Sequence, residues 1–305
     1  MPKLWFLPLF LLSILSARAQ TPADTARLRR HLLALTTTPA PRNYRHPASL
    51  HQAADYIKAE LAAAGGQPTE QPYVVQGQRY HNVLAHFGPE TGPRLIIGAH
   101  YDVCGEQPGA DDNGTGVAAL LELARLLARQ PNLPYRIDLV AYTLEEPPFF
   151  RTKHMGSYVH AQSLHAAGVP VRGMVALEML GYYDDRKGSQ DYPLGPLKWV
   201  YGRRGNYVTV AQKFGNGQFG RQFARRYKTA AGLPVKRFKA PAWLPGIDFS
   251  DHLNYWQFGY SAVLLTDTAF YRNKSYHEPT DTLARLDMHR LGLAVDALLA
   301  VVLGG

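Results

Sequence analysis

The chain has 305 residues, 46% of them hydrophobic and 19% charged, with one cysteine and a formal net charge of +9. That apolar content excludes an intrinsically disordered chain, and the length suits one large core or two small ones. A single cysteine excludes an intramolecular disulfide, so the fold must hold by packing alone.

In chain order, Lys3, the apolar run of residues 4–15 and Ala17-Arg18-Ala19 before Gln20 have the layout of a secretory signal. They predict an exported protein, periplasmic or extracellular, with residues 1–19 a signal peptide and residues 20–305 one domain. The run is too short for a permanent membrane span, so no stable membrane anchor is expected after cleavage. Apolar residues at helical spacing predict packing helices over 22–38 (Leu28, Leu32, Leu33, Leu35) and 48–64 (Ala53, Ile57, Leu61), the second stopped by Gly65-Gly66. Residues 67–88 read as an edge hairpin, with a Gly-containing turn between YVV and NVLAHF.

The stretch LIIGAHYDVCGEQPGADDNGTG, residues 95–116, opens as a buried strand and ends in chemistry: His100, Asp102, then Asp111 and Asp112 before a helix over 117–129. A second buried strand, 137–142, leads to Glu145-Glu146. Strand, helix, strand makes a right-handed crossover, so the two strands are parallel and their carboxyl ends share one sheet edge. After a loop and helix, a third strand over 173–179 carries Glu178, and a fourth over 262–266 precedes a loop with His277. Ligands bind outside the carboxyl ends of strands in such sheets, and imidazole with carboxylate is a zinc-type donor set. The expected fold is α/β, a three-layer sandwich with a mostly parallel central sheet, helices on both faces and a zinc site at the carboxyl ends. Residues 184–245 are read as excursions of the same domain, with a strand over 207–210 and a helix over 218–230, and the chain closes with an amphipathic helix over 286–303. The basic excess between Arg221 and Lys239 reads as a solvated face without a nucleic-acid motif, and no nucleic-acid partner is expected. Cys104 reads as a small wall residue beside the site. His154, His160 and His165 read as surface or packing residues.

Five spaced pieces, His100-x-Asp102, GADDNGTG, Glu145-Glu146, LEM around Glu178 and YHEPTDT around His277, together resemble the M28 family of zinc-dependent exopeptidases. The resemblance implies two zinc ions bridged by Asp112, with His100 and Glu178 completing one site and Glu146 and His277 the other. It implies Glu145 as general base, Asp102 behind His100, and hydrolysis of the amino-terminal bond of peptide substrates. A metal-bound His commonly gives its other N–H to such a second group. Glu178 stands where many relatives have Asp, and the choice of Asp112 over Asp111 rests on the resemblance alone. Asp251 and His252 would shape the site floor or cap the following helix. Tyr182, Tyr183 and Trp243 are candidates for a specificity pocket or for simple packing. The rival readings are a glutaminyl cyclase with a single zinc and a non-catalytic relative acting as a binding module. Oligomeric state and residue preference are not legible.

Overall fold

The computed structural model describes residues 22–304, so the segment read as a signal peptide lies outside the described residues. Asp24 caps the first helix, α1 (Thr25–Thr36), accepting from the Ala26 and Arg27 amides. The periodic Leu28, Leu32 and Leu35 of α1 are buried. Pro47 opens α2 (Pro47–Ala63), whose missing N–H costs nothing at a helix start. Strands β1 (Thr69–Val75) and β2 (Gln78–Phe87) pair antiparallel through Gln76 and Gly77, both at positive φ, as a two-residue hairpin turn requires. Pro72 in β1 is tolerated because β1 is an edge strand.

Next come β3 (Arg94–His100), α3 (Gly116–Leu127), β4 (Arg136–Tyr142), α4 (Gly156–Ala166) and β5 (Val171–Glu178). The later elements are α5 (Leu197–Tyr201), β6 (Val208–Lys213), α6 (Gly217–Ala230), β7 (Val235–Ala240), α7 (His252–Gln257), β8 (Ala262–Thr266) and α8 (Met288–Leu303). The strands form one sheet in the order β1-β2-β4-β3-β5-β8-β6-β7. β4, β3, β5 and β8 are mutually parallel, which brings their carboxyl ends to one edge. β6 runs antiparallel to β8, a reversal that carries no sequence signature, and β7 follows β6 in parallel.

Alternation along the central strands sends Leu95, Ile97 and Ala99 to one face and Ile96 to the other. The first face packs under α1, α2, α3, α6 and α8, and the second under α4 and α7. This is the expected three-layer arrangement. α3 lies between sheet and outer helices, so nearly all of it is buried, and its Glu122 is neutralised by Arg125. Gly98 in β3 is required by close packing: a Cβ there would stand 2.2 Å from the Tyr142 ring. Among the described residues no helix is long and apolar enough to cross a membrane.

Candidate active site

Each predicted site residue arrives where a central strand or its following loop ends. His100 is the last residue of β3, Glu178 the last of β5, Glu145 and Glu146 follow β4, and His277 lies on the loop after β8. Asp112 sits at a non-helical kink (φ −100°, ψ 98°) in the Ala110–Thr115 segment, which runs directly into α3. The structure brings all six into one cleft of about 840 Å³. All but His277 are buried.

Asp112 lies between the two histidines. His100 Nε2 is 3.6 Å from Asp112 Oδ1 and 3.2 Å from Glu178 Oε2, while His277 Nε2 is 3.2 Å from both Asp112 Oδ2 and Glu146 Oε2. Asp111 faces elsewhere. Its carboxylate accepts from Gly181 N–H, Thr115 Oγ1 and Asn273 Nδ2, so it braces the loop and has no share in the cleft. Glu145 Oε2 is 3.8 Å from His100 Nε2 and forms no ion pair with His277 among the described residues.

Asp102 holds more than His100. Its carboxylate oxygens accept from the Glu145 and Glu146 amides, at 3.1 Å each, and so fix the backbone that presents both glutamates. His100 Nδ1 is 3.1 Å from the Asp102 main-chain oxygen and 3.6 Å from its carboxylate. An Nδ1–H tautomer donating to that carbonyl leaves the Nε2 lone pair facing the cleft.

Burial sets the electrostatics. It pushes the Glu145 carboxyl well above the usual range, with the His100 charge acting against it, and raises Glu146 to about 7, with the Asp112 charge adding to it. Glu178 is likewise raised, chiefly by burial. For both imidazoles burial opposes the charge, but the carboxylates around them win: Glu178 and Glu145 raise His100, and Asp112 and Glu146 raise His277. Four acids drawn together in a dry cleft thus depend on positive charge for compensation, a role that a divalent cation fills.

A metal fits these residues on their own evidence. Asp112 Oδ2, Glu146 Oε1 and His277 Nε2 are buried atoms without a hydrogen-bond partner, which a native interior rarely tolerates. His100, Asp112 and Glu146 place ligand atoms within 4.8 Å of one another, as do Cys104, Glu146 and His277. Cys104 is thus close enough to Glu146 and His277 to be a ligand candidate as well as a neighbour of the site. An N/O donor set of imidazoles and carboxylates suits zinc.

Several supporting residues were given no role by the sequence. The buried guanidinium of Arg42 donates to the carbonyls of Tyr101, Leu35, Pro108 and Gly109, clamping the loop between β3 and α3. Asp281, within the YHEPTDT stretch, accepts from the Asp111 and Asp112 amides. Ser250 Oγ donates to Glu178 Oε2 at 2.8 Å. Asp251 does occupy the N-cap position of α7 but makes no side-chain cap bond. It and His252 are fully buried, and the His252 ring meets the Ile247 carbonyl at 2.8 Å. Tyr276 stacks on His277 at 3.8 Å between ring centroids.

Beside the metal-type cleft, and sharing Glu178, Phe249 and Phe270 with it, is an aromatic pocket. It is walled by Tyr192, Tyr201, Tyr207, Phe238 and Tyr271, and Tyr182, Tyr183 and Trp243, read as pocket or packing residues, take no part in it. Tyr182 and Tyr183 pack against Arg285, Arg272 and Arg290 instead, and Trp243 faces solvent. Of the three extra histidines, His160 is buried and hydrogen-bonded to Tyr255, His154 is half-buried and His165 exposed.

The sequence model of peptidase family M28 matches residues 82–302. YfbL, an uncharacterized protein of Escherichia coli (strain K12), is 43% identical over 298 residues, covering 94% of this chain and 91% of its own. The LapA aminopeptidase of Legionella pneumophila superposes with a TM-score of 0.72 at 19% identity, over 92% of this chain and 71% of that one. The glutaminyl cyclase of Tannerella forsythia superposes with a TM-score of 0.70 at 20% identity, over 93% and 100%. At those identities the two structures speak for the fold; with the family match over most of its length, the chain belongs to peptidase family M28.

Proposed function

We propose that the protein is an exported aminopeptidase that would hold two zinc ions, with His100 and Glu178 on one side of Asp112 and Glu146 and His277 on the other as the residues to hold them. The observation that carries this reading is the division of Asp112, whose Oδ1 and Oδ2 each face a different imidazole–glutamate pair. When bound, the ions would polarise the scissile carbonyl and lower the pKa of the attacking water. Glu145 is the general base: it takes the proton from that water and returns it to the departing amine nitrogen. Asp102 is a positioning residue, holding the Glu145 and Glu146 backbone through two amides.

The substrate's first side chain enters the aromatic pocket. The hydroxyls of Tyr192, Tyr201, Tyr207 and Tyr271 are engaged with each other or with main-chain carbonyls, so the pocket offers ring surface and selects large apolar residues. Export rests on residues 1–19, and peptides are the partners, with no nucleic acid expected.

The test is zinc content by elemental analysis together with turnover of leucyl, phenylalanyl, alanyl, glutamyl and glutaminyl substrates, for the native chain and Glu145→Gln. Two zinc ions and preferred hydrolysis of leucyl or phenylalanyl substrates are expected. Glu145→Gln should keep both ions and lose about 10²–10⁴-fold in kcat. One tight zinc with cyclisation of glutaminyl substrates would replace this reading with the cyclase one. Metal binding without turnover of any substrate would favour a binding module.

A further inference from the structure

Between Asp191 and Asp248 the chain contains eleven lysines and arginines and no aspartate or glutamate. The two bounding acids are already engaged, Asp191 with Lys274 and Asp248 with Arg151. Among the described residues none of the eleven cations is ion-paired, whereas flanking arginines such as Arg186 and Arg290 do find carboxylates. The stretch supplies α5, β6, α6 and β7, and β7 is the outermost strand, so this positive charge wraps one edge of the molecule.

The same edge carries exposed apolar side chains. Of seven large hydrophobic residues that stand exposed among those described, five fall in this stretch, led by Trp199 (77% exposed) and Trp243 (79%), with Val200, Leu194 and Phe214. α5 lies against β7, where the Tyr201 ring meets Phe238 at 5.7 Å and the Tyr201 hydroxyl reaches the Arg237 carbonyl. α5 thus carries Trp199 and Val200 next to β7, with Lys198 Nζ 5.5 Å from the Trp199 ring centroid, and Lys239 lies over Phe214 at 5.6 Å. A single exposed apolar residue needs no explanation; five within one unpaired cationic stretch that supplies the sheet's outer strand mark a contact surface.

We propose that this edge docks the protein peripherally on an anionic lipid bilayer. Lysine and arginine are drawn to negative headgroups, and tryptophan favours the interface between headgroup and acyl chain. Tryptophan with arginine also suits single-stranded nucleic acid, but the aliphatic Val200 and Leu194 have no π face on which bases could stack, and they suit acyl chains.

The test is co-sedimentation with phosphatidylcholine vesicles and with vesicles that also contain phosphatidylglycerol, for the full chain and a form starting at Gln20. The apolar run of residues 4–15 favours both vesicle types alike, so the readout is the difference between them. Partitioning onto the anionic vesicles should exceed that onto phosphatidylcholine by at least tenfold and vanish near 0.5 M salt, where screening is short-ranged. Substituting Lys198, Arg203 and Arg204 by Gln should lower it roughly a hundredfold, about fivefold per cation. In the form starting at Gln20, which lacks Trp5, Trp199→Ala with Trp243→Ala should abolish the blue shift of tryptophan emission on binding. All these positions are exposed, and unchanged melting curves would show that the variants fold. Equal partitioning onto both vesicle types, no partitioning onto the anionic ones, indifference to the triple substitution, or tighter binding of single-stranded DNA than of vesicles would overturn the proposal.

Discussion

Asp102→Asn is the substitution that separates two accounts of how the site is held. In the native protein the buried carboxylate receives two amide protons, from Glu145 and Glu146, at 3.1 Å each. An asparagine offers one carbonyl oxygen and one NH₂, so one amide keeps its acceptor and the other faces a donor. Losing a charge-assisted bond and stranding a buried N–H together cost about 2–4 kcal/mol. For a chain of this size that lowers Tm by roughly 4–8 °C. Because the displaced backbone carries Glu145 and Glu146, kcat should fall and zinc affinity should drop about 10–100-fold, first at the Glu146–His277 site. His100 should be spared, since its Nδ1 contact is with the main-chain oxygen of residue 102, which the exchange leaves in place. The assays are thermal melts with and without zinc, chelator competition for zinc, and kcat and KM. A variant melting within about 1 °C of the native protein, with zinc affinity and turnover within twofold, would refute the amide-clamp argument; selective loss at the His100–Glu178 site would show that the carboxylate acts through His100 instead.

Three further outcomes are expected. Asp112→Asn should release both zinc ions, while Asp111→Asn should keep them and lower stability, as elemental analysis and melts will read; equal metal loss in both would undo the distinction drawn between these neighbours. Arg42→Met leaves four buried carbonyls without their donor and should cost about 3–5 kcal/mol in urea unfolding, with a loss below about 1 kcal/mol counting against the clamp. Burial lowers His160 and His252 to about 4 and His31 to about 3, so each stays neutral in the fold while its unfolded form takes up a proton near pH 6.5. Stability is therefore full above about pH 7 and falls as pH drops from 6.5 towards 4, by about 1.4 kcal/mol per histidine at pH 5.5. Replacing His160 by Gln should flatten that slope by one histidine's share, and an unchanged slope would mean that His160 is charged in the fold.

The local pattern of the chain determined its elements and the edge on which its chemistry collects. Leu28, Leu32 and Leu35 recur at a helical period, and residues 95–99 and 137–142 read as buried strands, because burial of one face imposes that spacing. The handedness of the crossover then leaves His100, Glu145, Glu146 and Glu178 no choice of edge. Tertiary structure decided the rest, through partners far apart in sequence. Asp112 differs from Asp111 only by what each meets in space: the histidines for one, and Gly181 and Asn273 for the other. Arg42, Ser250 and Asp281 reach across 59 to 170 residues to hold the site, and such bonds impose no periodicity that a reader of the chain could find. The pocket walls are similarly assembled from α5, β6, β7, β8 and three loops, and the antiparallel direction of β6 against β8 is set by packing, which leaves no mark on a short apolar strand.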